Sequence, residues 1–212
     1  EKCSSLVVLP DLPATEIADN CYSSMFKDCA LAETAPALPA MSLARACYDH
    51  MFSGCSSLSS PIVLPAENLE YKCYNSMFQG CSNLNYIEVG VMTLDNQKNA
   101  TDRWVEGIDG EGLFVFPCGS KYDKHGVSEV PTNFTIVSSP IVIFQDWDST
   151  ELQKDTINCV TIPEYRGEEP IREGYTFIGW DPELSVHSEV GVYYYTAPYK
   201  KDGEINPRSW AR

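Results

Sequence analysis

A step of 26 residues constrains this chain more than any other feature. The stretches "CYSSMFKDC", "CYDHMFSGC" and "CYNSMFQGC" begin at Cys21, Cys47 and Cys73 and end at Cys29, Cys55 and Cys81. Leu-Pro-Ala recurs at Leu12, Leu38 and Leu64 with the same step, as do Ile17, Leu43 and Leu69. Stepping back from Cys29 reaches Cys3, so Glu1 falls inside a unit and further sequence is expected upstream. A fixed period of this length is the signature of stacked coils, each unable to bury its apolar side alone.

One unit reads as strand, turn, helix, turn. "SPIVLP" alternates Ile62 and Leu64 against Pro61 and Val63, which predicts a short strand. Pro65 lacks an amide hydrogen and closes it. Leu69, Cys73 and Met77 then stand at steps of four, which predicts one face of a helical turn. Gly80 lies where a positive φ would end that turn.

Three readings of the cysteines remain open: stacked buried thiols, disulfides between coils, and a metal site. Cys21 and Cys29 are eight apart, about 12 Å of rise on a helix. A disulfide needs α-carbons within about 7 Å. Close C-x(2–4)-C pairs of the zinc type do not occur. A ladder of small buried hydrophobes is the favoured reading, because free cysteine is among the most buried residue types. The count of nine rules out complete internal pairing. Tyr22, Tyr48 and Tyr74, with Phe26, Phe52 and Phe78, are expected in the same core.

The unit C-Y-x-x-M-F-x-G-C-x-x-L…L-P-A-x-x-L resembles the BspA-like leucine-rich repeats of bacterial surface proteins over residues 1–90. The second unit departs from the pattern, with Asp28 in place of Gly54 and Gly80, and Ala32 in place of Leu6, Leu58 and Leu84. After Val91 the step is lost, and residues 91–138 are expected to cap the exposed end of the stack. From Ser139 the composition shifts, and Asp148-Ser149 is placed at a hairpin turn. Pro170, Arg172, Gly174, Tyr175, Phe177, Gly179 and Trp180 form P-x-R-x-G-Y-x-F-x-G-W. This is similar to the internalin-type B repeat (Listeria-Bacteroides repeat), and residues 139–200 are matched to it; 201–212 is a polar tail apart from Ile205 and Trp210. The two resemblances imply an α+β chain: a leucine-rich-repeat solenoid with a C-terminal cap, followed by a small β-grasp (ubiquitin-like) module. In so small a domain Tyr175, Phe177, Trp180 and Tyr193 to Tyr195 serve better as core than as a ligand platform.

Catalytic patterns are not apparent. His50 stands where Ser24 and Ser76 stand in the neighbouring units, and His125 and His187 have no nucleophile pattern beside them. "DGEG" at Asp109 is too short for a calcium loop, and "DWDSTE" with Asp146, Asp148 and Glu151 reads as a solvated turn. Asp148-Ser149-Thr150 and Asp155-Thr156-Ile157 match short acidic-Ser/Thr glycosylation tripeptides, which also arise by chance. No metal and no cofactor is expected. Formal net charge is −15, which repels nucleic acid and anionic membranes. No apolar run approaches the about 20 residues of a membrane helix.

The resemblance implies a non-catalytic role at the bacterial cell surface, outside the cell, in adhesion or protein–protein interaction through the solenoid's concave face, with the C-terminal module as spacer or secondary contact. The expected partner is a host, neighbouring-cell or extracellular-matrix protein, bound by a monomer. The expected contact row is the outward side of the strand segments: Leu9, Asp11, Ala35, Ala37, Pro61, Val63, Tyr86 and Glu88. A purely structural stalk and a carbohydrate-binding accessory module are the alternatives.

Overall fold

The computed structural model describes residues 4–94 and 99–203. They form two compact units, residues 1–138 and 139–212. Cys3, Ile205 and Trp210 lie outside the described residues.

In the first unit, β1 (Ile62–Leu64), β2 (Tyr86–Val89), β3 (Gly112–Val115) and β4 (Phe134–Val137) form one parallel sheet in that order. Ile62 pairs with Ile87, Ile87 with Phe114, and Phe114 with Ile136. The steps along this row are 25, 27 and 22 residues. The segment expected to cap the stack therefore supplies two further strands of the same sheet. The equivalent segments at residues 9–13 and 35–39 form no strand. Pro10, Pro13, Pro36 and Pro39 lack the amide hydrogens that a ladder requires.

The expected helical turn is not a helix, and among the described residues no α-helix occurs. In its place each coil carries a ribbon of turns in which every fourth residue has positive φ: Asn20, Ser24 and Asp28; Ala46, His50 and Gly54; Lys72, Ser76 and Gly80; Asn99, Arg103 and Gly107. An α-helix cannot contain such residues. The ribbon's amides alternate in what they bond. Cys21, Ser23, Met25 and Lys27 donate three residues back within the coil. Asn20, Tyr22, Ser24, Phe26 and Asp28 donate to the carbonyls of Arg45, Cys47, Asp49, Met51 and Ser53 in the next coil. Left-handed backbone costs a non-glycine residue about 1–2 kcal/mol, and the coil-to-coil bonds offset this by pairing every second amide. The α+β class is thus corrected: strands and turns build this unit, stacked as an all-β coil.

The core lies between ribbon and sheet. Tyr22, Tyr48, Tyr74 and Trp104 stack at centroid distances of 5.8, 6.1 and 6.0 Å. Phe26, Phe52 and Phe78 stack at 5.7 and 5.9 Å, and Phe78 meets Trp104 at 6.1 Å with the planes tilted by 52°. Both rows end on Trp104, whose indole N–H donates to the Glu129 carbonyl at 2.7 Å. Val127 to Glu129 also accept from Val105 N and Thr101 Oγ1, and Ser128 Oγ accepts from Arg103 N. This closes the far end of the ribbon.

In the second unit, β5 (Ile141–Gln145) pairs antiparallel with β6 (Glu151–Thr156) and parallel with β8 (Val192–Thr196). β7 (Tyr175–Phe177) and β9 (Tyr199–Lys201) form a separate antiparallel pair. The β5–β6 turn passes through Asp148 and Ser149, with Ser149 at φ 69° and Thr150 N donating to Asp148 Oδ1. A β-grasp needs a helix across its sheet; residues 157–174 carry none, so this part of the expected fold is also corrected. Val142, Phe144 and Tyr195 make the core, with Tyr165, Trp180 and Tyr193 packed on it.

Candidate functional site

The outward side of the extended segments is where the expected contact residues fall, with one exception. Leu9 is buried in the core beside Leu12, a correction of its assignment to the contact row. Pro10 follows it, and no strand forms there to fix the alternation. Asp11, Ala37, Pro61 and Val63 are exposed, and Ala35, Tyr86 and Glu88 are half-buried.

Two adjoining grooves lie at the Ala35 end of this face. One of ≈350 Å³ is lined by Ala35, Pro36, Ala37, Pro61, Val63 and Pro65, among others. The second, of ≈390 Å³, is lined by Val7, Val8, Asp11, Glu33 and, like the first, by Ala35 and Pro36. The two grooves adjoin at Ala35 and Pro36. Val, Ala and Pro side chains line them, together with Thr34 and the carboxylates of Asp11 and Glu33. Val8 is 79% exposed and Val63 48%, so large aliphatic side chains stand in water here.

Val63 neighbours Glu88 across the β1–β2 ladder, and Tyr86 neighbours Leu113 across β2–β3. The Tyr86 hydroxyl donates to Glu88 Oε2 at 3.0 Å. Partial burial, then the hydrogen bond to that carboxylate and its charge, push the Tyr86 phenol up to about 12. Tyr86 therefore stays neutral and holds Glu88 in place. Val7, Val8, Leu113 and Thr135 are surface residues of this face that the repeat did not bring out. For Leu113 a signal existed: Gly107 and Trp104 follow Gly80 and Phe78 by one further coil.

Cys47, Cys55, Cys73 and Cys81 are buried free thiols, Cys29 is buried with them, and Cys21 is free and exposed. The Cys55 thiol donates to the Phe26 carbonyl and the Cys81 thiol to the Phe52 carbonyl, each at 3.1 Å. Burial pushes the Cys47 thiol up to about 11 and those of Cys55 and Cys73 up to about 12. They are kept as thiols, and the thiolate is the reactive form. Among the described residues no group of three His, Cys, Asp or Glu is arranged to hold a metal ion.

The histidines are engaged locally. His50 Nδ1 lies 2.7 Å from Asp49 Oδ1, His125 Nδ1 lies 3.0 Å from the Pro131 carbonyl, and His187 Nε2 lies 2.7 Å from the Tyr195 hydroxyl. In the second unit Trp180 packs against Phe144 and Tyr165, each at 4.8 Å. Asp146 accepts from the Tyr199 hydroxyl, and Asp148 accepts from Thr150. The Arg172 guanidinium lies 4.1 Å from the ring centres of both Trp147 and Tyr175. Among the described residues no helix is long and apolar enough to cross a membrane.

No family model, no curated protein and no solved structure matches this chain.

Proposed function

We propose that this chain is a non-catalytic interaction protein that binds another protein through the outward face of its extended segments. The observation that carries this reading is the pair of adjoining grooves lined largely by Val, Ala and Pro, with Val8 and Val63 exposed beside them. Aliphatic side chains left in water in a contiguous patch mark a contact surface more often than isolated ones do. Proline-lined backbone adds rigidity, so little conformational entropy is lost on binding. With the repeat's resemblance to BspA-like surface proteins, the setting proposed is the outside of a bacterial cell. The partner class is a host, neighbouring-cell or matrix protein. The acidic edge at Asp11 and Glu33 favours a basic partner.

The test is binding of the intact chain to an array of extracellular-matrix proteins, beside an Asp11→Lys, Val63→Glu double variant. Both positions are exposed, so the fold should survive and circular dichroism should be unchanged. Binding weakened by about tenfold or more in the variant supports the reading. Equal binding by the two proteins refutes it.

A further inference from the structure

In the second unit three separate stretches of chain converge on one guanidinium. Trp147 comes from the β5–β6 turn, Arg172 and Tyr175 from the entry to β7, and Tyr199 from β9. Tyr175 N donates back to the Arg172 carbonyl at 3.0 Å, and Gly174 turns the chain between them at φ 77°. The guanidinium carbon lies 4.1 Å from the ring centres of Trp147 and Tyr175 and 6.0 Å from that of Tyr199. Its fork of N–H donors makes no hydrogen bond and no ion pair among the described residues. Acceptors stand beside it. Asp146 Oδ1 takes Trp147 N and the Tyr199 hydroxyl, each at 2.8 Å, while Oδ2 accepts nothing among the described residues. Asp148 is exposed, with Oδ1 accepting from Thr150 N. Burial, then the hydrogen bond to Asp146, push the Tyr199 phenol up to about 12, and the charges of Asp146, Arg172 and Asp148 all act on it. Trp147 is 52% exposed, and no second ring packs on it among the described residues.

We infer that this corner binds an uncharged sugar, stacked on Trp147 and hydrogen-bonded by Arg172 and Asp146. The place a cation would take between the Trp147 and Tyr175 rings is already filled by the guanidinium. An anion meets the carboxylates of Asp146 and Asp148 and of the exposed Glu173. A neutral ligand must satisfy fixed donors and fixed acceptors side by side. Hydroxyl groups do both, each with one donor and two acceptor lone pairs. The C–H face of a sugar ring also suits the negative face of an indole. Rings clamp the guanidinium and two hydrogen bonds fix Asp146 before any ligand arrives, so little ordering is lost on binding. The site belongs to the second unit alone, and it stands or falls independently of the grooves proposed for protein contact.

The experiment titrates the full chain with neutral hexasaccharides of glucose, galactose, mannose, xylose and N-acetylglucosamine, up to about 10 mM, a range that reaches millimolar dissociation constants. Hexagalacturonate serves as the anionic probe and hexaglucosamine as the cationic one. The readout is the NMR shift of the Trp147 indole N–H, identified as the signal missing from Trp147→Ala, with saturation transfer to the sugar protons giving the affinity of each variant. At least one neutral hexasaccharide should move that signal and bind more tightly than either charged one. Trp147→Ala, at an exposed position, and Arg172→Lys, which keeps the charge but not the fork, should each weaken its binding by about tenfold or more. Circular dichroism of both variants should match the parent chain. The inference is overturned if no neutral hexasaccharide moves the signal, if a charged one binds more tightly, or if either variant binds as the parent does.

Discussion

Replacing Phe52 by alanine should open the stack locally, and the buried thiols report how far. The Phe52 ring is fully buried. It sits between Phe26 at 5.7 Å, with the planes 23° apart, and Phe78 at 5.9 Å, with the planes 3° apart. Removing a buried phenylalanine side chain costs about 3–5 kcal/mol. Each ring pair accounts for about 0.5–1.5 kcal/mol, and two are lost here, which places Phe52→Ala in the upper part of that range. A local loss of about 4 kcal/mol raises the open population by roughly a thousandfold. Cys55 and Cys81 donate to the carbonyls of Phe26 and Phe52, so they sense this opening directly. Their alkylation in native buffer should accelerate by about two to three powers of ten, with Cys29 and Cys73 following. Phe26→Ala removes the one ring pair given for Phe26 among the described residues and should accelerate Cys55 less. If Phe52→Ala changes the Cys55 rate by less than about tenfold, the ring row is not what holds the coils together.

Gly80→Ala tests the ribbon's backbone. Gly80 has φ 78°, and an added Cβ would meet the Gly54 Cα at an ordinary 3.7 Å, so the expected cost is the left-handed strain alone, about 1–2 kcal/mol in denaturant midpoint analysis. Gly107→Ala, with a Cβ 3.3 Å from Gly80, should cost more. In the second unit burial holds the His187 imidazole below its ordinary 6.5. The unfolded chain then takes up that proton first, so the contribution is intact above about pH 6.5 and is lost as pH falls through the depressed folded value. Protection factors of the β8 amides, corrected for intrinsic exchange at each pH, should fall between about pH 7 and pH 5, and His187→Gln should flatten that dependence.

The coil length, the two rows of rings and the buried cysteines were legible because they repeat without insertion. The turn ribbon was not. Leu69, Cys73 and Met77 stand four apart in a ribbon whose own period is four residues, and over two turns that spacing is indistinguishable from the 3.6 of a helix. The positive φ positions gave little away, since Ser24, Ala46, Lys72, Ser76 and Arg103 are poor signals for left-handed backbone. Gly54, Gly80 and Gly107 carry the usual mark, and Asn20, Asp28, His50 and Asn99 a weaker one. Beyond Val91 the sheet continues with steps of 27 and 22, so a search at fixed spacing loses it. Of the contact row, Val63, Glu88 and their ladder neighbours follow from alternation. Leu9 does not, because prolines remove the strand that would have set its direction.

The alternation of amides along the ribbon also sets how the stack meets a mechanical load. The first ribbon is fastened to the second by five backbone hydrogen bonds, and the second to the third by five more. All run along the stacking direction, so tension applied at the first coil bears on one row at a time. The chain should therefore yield in steps of one coil, like a zip, each release lengthening it by about 26 residues at roughly 3.3–3.6 Å apiece. Because the intracoil bonds of the next ribbon stay intact when a row parts, each coil is a separate mechanical fuse.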